Sequence, residues 1–362
     1  MWPSSTLLEL LHIEHPIVQA PMPGASPPLL AAAVSNAGGL GSLGCGFLSV
    51  SELRAELEAT QRATNRPFNV NFVMYDKPRS NSKRVQHARD LMAPHYARLQ
   101  LGNVPHAIAK ARVFDAEALA VVIAAHPRVV SFQFGLPGAA FIAALKDHGI
   151  AVMGMATSVR EALDQERRGA DVIVAQGWEA GGHRGTYLSS IDGGGIGTLA
   201  LVPQVVDAVN VPVIAAGGIA DGRGILAAFA LGASGVQLGT AFMTCDEAGV
   251  PTVHKQALLD AADDETRLTK TFSGRPARVL VNKYIEEMTL HEHALPDFPI
   301  MNMLTEPLQR ASAARGSRDF VALWAGQGVG MSRAMPAAQL VGTLVDEAAL
   351  ALSRFRSRAA NS

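Results

Sequence analysis

The chain has 362 residues, of which 48% are hydrophobic, and its 31 basic and 32 acidic residues give a net charge of -1. This composition excludes a disordered chain and provides enough apolar surface for a large core. The balanced charge favours neither nucleic acid nor an anionic membrane as partner, so we expect a small-molecule ligand.

Eight short apolar runs predict β-strands along the chain. They do not alternate polar with apolar residues, which is typical of parallel strands covered on both faces. Helical patterns follow nearly every run, and this alternation predicts an α/β fold, a TIM-like (β/α)8 barrel rather than a doubly wound sheet. The predicted strands cover residues 15–22, 39–44, 68–74, 129–135, 150–157, 170–177, 211–218 and 234–242.

The barrel is expected to cover residues 13–245, with a polar, helical insertion near 75–112. Residues 246–335 are predicted to form a mostly helical lid, or substrate domain, and an amphipathic helix over 336–356 is expected to pack back on the barrel. Insertions that follow barrel strands lie over the face where active sites are found. The lid could contact substrate or a second subunit, so the sequence allows a homodimer without predicting one.

The cysteine content and the start of the chain bear on its compartment. Cys45 and Cys245 lie far apart with no His or Cys nearby, which argues against disulfides and zinc, and we expect both to be buried in the core. No basic segment followed by a long apolar stretch opens the chain, and its apolar runs are too short to span a membrane. We therefore expect a cytoplasmic protein.

Two glycine-rich loops follow the last two predicted strands. They read "AAGGIADGRG" (215–224) and "VQLGTAF" (236–242). Barrels often bind phosphate at this pair of loops, where glycine lets a ligand approach backbone N–H groups. Gly217, Gly218, Gly239 and Thr240 are the candidate donors. Tight turns and helix packing alone would also explain the glycines, but their position at both loops favours a phosphate site.

Polar amides and prolines occur at other strand ends. Asn71 lies inside a predicted strand, where asparagine is disfavoured, and Gln176 and Gln237 lie near the ends of two further strands. A heterocyclic ligand would satisfy all three, although a structural role is about as plausible for each alone. The segment "QAPMPG" (19–24), which contains Met22, either ends a strand or forms a stiff wall for a planar cofactor.

His183 lies in a glycine-rich turn, "VAQGWEAGGHRGTY" (174–187), between Glu179 and Arg184. An imidazole on the catalytic face could accept a proton or bind an anion, whereas most lone histidines are structural. No nucleophile elbow, pair of glycosidase carboxylates or proper dinucleotide-binding motif is present, so we do not expect a triad hydrolase, a glycosidase or an NAD-binding Rossmann domain.

These motifs, together with "FSGRPAR" and "LWAGQG", resemble the nitronate monooxygenases, formerly called 2-nitropropane dioxygenases, from about residue 13 to about residue 335. The resemblance implies a TIM-like barrel with an added helical domain, non-covalent FMN and no metal. It implies His183 as the catalytic residue, Met22 as a backbone contact to the flavin ring, and Gln327 as part of a loop over the flavin. The further implied flavin contacts are Asn71, Gln176, Gly181, Gly218, Gln237, Leu238, Gly239 and Thr240.

The implied reaction is oxidation of a nitronate, or of a nitroalkane, by O2 to a carbonyl compound and nitrite. An FMN-dependent enoyl-acyl-carrier reductase and an NAD(P)H:quinone reductase are the alternatives on the same fold, and a flavin-binding sensor without turnover is a third. A carboxylate on the substrate could be recognised by a basic residue of the insertions. The candidates are Lys77, Arg79, Arg275 and Lys283.

Overall fold

The computed structural model describes residue 2 and residues 5–75, 82–106, 114–191 and 194–360. Every predicted strand region contains an observed strand, and each strand is buried on both faces, which explains the absence of alternation. The strands are β1 (Ile17–Gln19), β2 (Gly41–Gly44), β3 (Phe68–Val73), β4 (Val129–Gln133), β5 (Ala151–Ala156), β6 (Val172–Gln176), β8 (Val213–Ala216) and β9 (Gly235–Leu238); β7 (Gly182–His183) belongs to a second sheet.

The eight strands form one parallel sheet in the order β1-β9-β8-β6-β5-β4-β3-β2. A parallel bridge between Val18 and Leu40 joins β1 to the residue before β2 and closes the ring. The interior is filled by aliphatic side chains, and Leu7 and Leu11 of α1 (Thr6–Leu11) pack into its amino-terminal end. The predicted TIM-like barrel is confirmed, and its plugged lower end leaves the carboxyl-terminal face for a site.

Helices surround the barrel in the predicted alternation. The last helix, α14 (Ala337–Ala360), packs against α9 (Gly222–Ala230) and α2 (Pro28–Asn36) and so completes the outer ring. In the described part of the chain, none of the helices combines the length and the apolar character needed to cross a membrane. The outer helices are α2 (Pro28–Asn36), α3 (Val50–Ala63), α5 (Ala116–Ala125), α6 (Ala139–Asp147), α7 (Val159–Arg167), α8 (Thr198–Ala208), α9 (Gly222–Ala230) and α14 (Ala337–Ala360).

The two insertions share a second hydrophobic core above the carboxyl-terminal ends of the strands. Helix α4 (Ser82–Arg98) packs against α13 (Ile300–Ala314), and the Tyr96 hydroxyl donates to the Leu304 carbonyl at 2.7 Å. The second insertion also contains α11 (Thr252–Asp260), α12 (Lys283–Met288), two 3-10 turns (Thr289–Ala294 and Val329–Met331) and a hairpin that the sequence did not predict, β10 (Thr266–Thr269) with β11 (Ala277–Leu280).

This hairpin connects the lid to the barrel. Strand β11 pairs antiparallel with β7, so Ala277 lies opposite His183. The short helix α10 (Thr240–Met243) follows β9 on the same face. Cys45 and Cys245 are both free and buried in the hydrophobic core, as predicted.

Candidate active site

A cavity of about 300 Å³ opens at the carboxyl-terminal ends of the barrel strands. Its wall is formed by loops after β1, β6, β8 and β9 on the barrel side and by residues of the second insertion on the other. This volume lies at the lower end of the usual range for small-molecule sites. Ten of the sequence-predicted site residues line it: Met22, Asn71, Gln176, Gly181, His183, Gly217, Gly218, Gln237, Gly239 and Thr240.

The glycines of this wall are explained by close backbone approach. A Cβ atom at Gly181 would lie 2.5 Å from the backbone nitrogen of Gly326, so the two loops can touch only because residue 181 has no side chain. Gly218 has a φ of 72°, a left-handed conformation that favours glycine. Among the described residues, no group accepts a hydrogen bond from the backbone N–H of Gly218 or Gly239. These two N–H groups are free to bind an anionic or polar ligand.

The three amides at strand ends differ in what they still offer a ligand. Gln237 is buried, lines the cavity and makes no side-chain hydrogen bond to any described residue. Asn71 donates from Nδ2 to the Ser131 hydroxyl at 2.9 Å and keeps Oδ1 for another partner. The Gln237 amide therefore borders the cavity without a protein partner and is available to hydrogen-bond a polar ligand.

Gln176 instead shapes the loop that carries the histidine. Its Nε2 donates to the His183 carbonyl at 3.1 Å, and its Oε1 accepts from the Gly185 N–H at 2.8 Å. Gln133, at the end of β4, donates to the same His183 carbonyl at 3.2 Å. With the β7–β11 pairing, these bonds fix the backbone of His183 from three directions.

The imidazole of His183 lies among aromatic rings. Its ring centre is 5.2 Å from that of Trp324, 5.4 Å from that of Phe298 and 6.2 Å from that of Phe134. Burial in this surrounding, with the nearby Arg275 guanidinium, lowers the pKa of His183 to about 3. The imidazole is therefore neutral at physiological pH. Its Nε2 lies 2.8 Å from the hydroxyl of Ser273.

Arg275 brings a half-buried positive charge next to this imidazole. Its guanidinium lies over the Phe134 ring at 3.5 Å and donates to the carbonyls of Thr186 and Arg184. Burial lowers its pKa to about 10, which still leaves it protonated at neutral pH. Of the other candidates for carboxylate recognition, Lys283 is exposed on α12, and Lys77 and Arg79 lie outside the described residues.

Two predicted site residues do not line the cavity, and a third has its backbone occupied. The Leu238 side chain is buried in the barrel core, and Gln327 is exposed, with its N–H donating to the Glu179 carbonyl at 2.9 Å. The Met22 N–H donates to the Ser26 hydroxyl, and the Met22 carbonyl accepts from its own turn. Met22 therefore offers mainly its side chain to a ligand, and its backbone contact stays a prediction.

The structure adds four residues that the sequence analysis did not single out. Gln133 is a polar residue in an apolar strand, the same signal that marked Asn71, and Ser273 lies inside the quoted motif "FSGRPAR". Phe298 and Asn302 line the cavity from the second insertion. No local pattern marked these two, because tertiary packing brings them to the site; Phe298, for example, packs against Val73 and Phe134.

Comparisons with known proteins agree on one family. The family model described as nitronate monooxygenase matches residues 4–347. A probable nitronate monooxygenase from Staphylococcus aureus is 38% identical over 348 residues, covering 96% of this chain and 98% of that protein. The nitroalkane oxidase from Streptomyces ansochromogenes is 42% identical with a TM-score of 0.89, covering 97% of this chain and all of that one. FabK from Thermotoga maritima is 31% identical with a TM-score of 0.76, covering 97% and 98%.

Proposed function

The chain belongs to the nitronate monooxygenase family, and we propose that it oxidises alkyl nitronates and nitroalkanes with O2, releasing a carbonyl compound and nitrite. Members of this family are flavin-dependent oxidoreductases that act on nitro compounds. The observation that carries the proposal is that half-buried His183 lines the same cavity as polar groups without a protein partner, the Gln237 amide and the N–H groups of Gly218 and Gly239.

The cofactor we propose is FMN, and the wall of the cavity fits it. The free amide of Gln237 and Oδ1 of Asn71 suit the donors and acceptors of a heterocycle. The free N–H groups of Gly218 and Gly239 suit a phosphate. When bound, FMN would supply the electron chemistry, namely oxidation of the nitronate and reaction with O2.

The step to which the protein's own residues contribute is removal of the α-proton of the nitroalkane. A neutral nitroalkane must lose its α-proton to become a nitronate, and a neutral imidazole is the form of histidine that can take it. The aromatic rings of Phe134, Phe298 and Trp324 pack around the His183 imidazole and restrict its orientation. His183 is therefore the proposed general base. Because it is uncharged at neutral pH, it would contact an anionic nitronate through hydrogen bonding rather than as a cation.

A flavin reductase that uses a nicotinamide is the second candidate, supported by the likeness to FabK over 97% of the chain. An anaerobic experiment with the purified yellow protein separates the two. Propyl-2-nitronate, NADH and NADPH are each mixed with it under argon while flavin absorbance is followed. We expect bleaching by the nitronate and none by the nicotinamides. Fast bleaching by a nicotinamide alone would move the function to the reductase.

A further inference from the structure

The buried hydroxyl of Ser273 lies between three polar groups. It is 2.8 Å from Nε2 of His183, 3.0 Å from the carbonyl oxygen of Arg275 and 3.3 Å from the backbone nitrogen of Arg275. Ser273 is 1% exposed, so water does not compete for the hydrogen bonds of its hydroxyl. Because a hydroxyl has one proton and two lone pairs, it can donate to only one of the two possible acceptors.

The two possible orientations of the hydroxyl are not equivalent. If it donates to Nε2, the Arg275 carbonyl loses its hydrogen bond, because the Ser273 hydroxyl is the donor that reaches it among the described residues. If it donates to the Arg275 carbonyl, both its lone pairs are filled, one by the Arg275 N–H and one by an N–H on Nε2. The second arrangement satisfies every group, and leaving a buried carbonyl unpaired is costly.

We propose that Ser273 is a positioning residue that holds His183 as the tautomer protonated on Nε2, which leaves the lone pair of Nδ1 as the proton acceptor. No described residue donates a hydrogen bond to Nδ1, and His183 lines the cavity wall. This inference rests on the proposed function, since it assigns the tautomer of His183 that takes the α-proton of a nitroalkane. A nitronate needs no deprotonation, so the tautomer matters less for it.

Replacing the hydroxyl should change substrate preference more than it changes the fold. In Ser273→Ala the Nε2–H has no acceptor, so the opposite tautomer, with its proton on Nδ1, becomes more favourable. We expect the ratio of kcat/KM for nitroethane to kcat/KM for ethyl nitronate to fall about tenfold, the value of one ordinary buried hydrogen bond. Ser273→Thr retains a hydroxyl and should restore the ratio.

The matched control is a buried serine away from the cavity. The Ser312 hydroxyl on α13 is also fully buried, donates to the Ser317 carbonyl at 2.8 Å and accepts from the Phe320 N–H at 3.3 Å. Ser312→Ala should therefore cost similar stability and leave the substrate ratio at the wild-type value. If Ser273 had only a structural role, Ser273→Ala and Ser312→Ala would have the same effect on the substrate ratio.

The tautomer itself is read by nitrogen NMR of the flavin-loaded protein labelled with 15N-histidine, with the His183 signals assigned from His183→Asn. We expect a protonated Nε2 and an unprotonated Nδ1 in the wild type, and a shift of the proton to Nδ1 in Ser273→Ala. A wild-type proton on Nδ1, or an equal loss for both substrates in Ser273→Ala, would overturn the proposal. If the wild type oxidises neither substrate, the proposed function fails, and the NMR signals still decide the tautomer.

Discussion

Lowering the pH tests the environment of His183 most sharply. An imidazole with the ordinary pKa of 6.5 would be about three-quarters protonated at pH 6, and a reaction that needs the neutral base would fall to about a quarter. In this site, burial and then the Arg275 charge lower the pKa to about 3. The neutral fraction is then about 99% even at pH 5. The base is lost only as the pH falls through the folded-state value.

The assay is kcat/KM for freshly dissolved nitroethane between about pH 5 and pH 8, because this parameter reports ionisations of the free enzyme. We expect a profile without an inflection near the ordinary histidine pKa. A drop to about a quarter between pH 8 and pH 6 would refute the reasoning, because it would require a His183 that titrates as in water.

The same pKa shift predicts a change in stability. At pH 5 the unfolded chain binds a proton at His183 that the folded chain excludes, which costs about 2 kcal/mol of stability relative to pH 7. Stability is therefore lost as the pH falls below the unfolded pKa. The variant His183→Asn has no imidazole to take up this proton in the unfolded chain. Between pH 7 and pH 5 the wild type should therefore lose about 2 kcal/mol more of its free energy of unfolding than the variant does. Chemical unfolding at both pH values measures the difference, and identical decreases would contradict the assignment.

Three further substitutions test other parts of the site. His183→Asn should lower kcat for neutral nitroethane by about 10²- to 10⁴-fold while flavin stays bound; full nitroethane turnover would remove His183 as the base. Gly181→Ala places a Cβ against Gly326, and such a clash costs about 1–3 kcal/mol. Fluorescence titration should therefore show weaker FMN binding. The control Gly316→Ala, at a position with φ 68° and open space, should leave FMN affinity unchanged. Gln237→Leu removes an amide that has no protein partner, so the melting temperature of the flavin-free protein should not change. The affinity for FMN should fall about tenfold or more. An unchanged FMN affinity would show that this amide does not contact the ligand.

The barrel could be predicted because its signal is local. Each strand is a short apolar run, and parallel strands buried on both faces give that pattern without any knowledge of their neighbours. Asn71 and Gln237 stood out for the same reason, as polar residues where the pattern requires apolar ones. Gly181 was visible as a glycine, but its contact with Gly326 required the structure.

The part of the site supplied by the second insertion could not be predicted in the same way. Strand β10 is only partly buried and carries Thr and Arg, so no apolar run marked it as the partner of β11, the strand that pairs with β7 at His183. Phe298 lies beside the imidazole because it packs against Val73 and Phe134, which lie in segments of the chain far from it in sequence. Local patterns do not contain such information, since it arises from tertiary packing alone.

The most direct test of the proposed function is oxygen uptake with nitrite release from propyl-2-nitronate, measured on the flavin-loaded protein in air without any nicotinamide. We predict that oxygen is consumed only when the nitronate is present, and that nitrite and acetone appear together at matching rates. A flavin-loaded protein that consumes no oxygen and releases no nitrite from the nitronate would contradict the account.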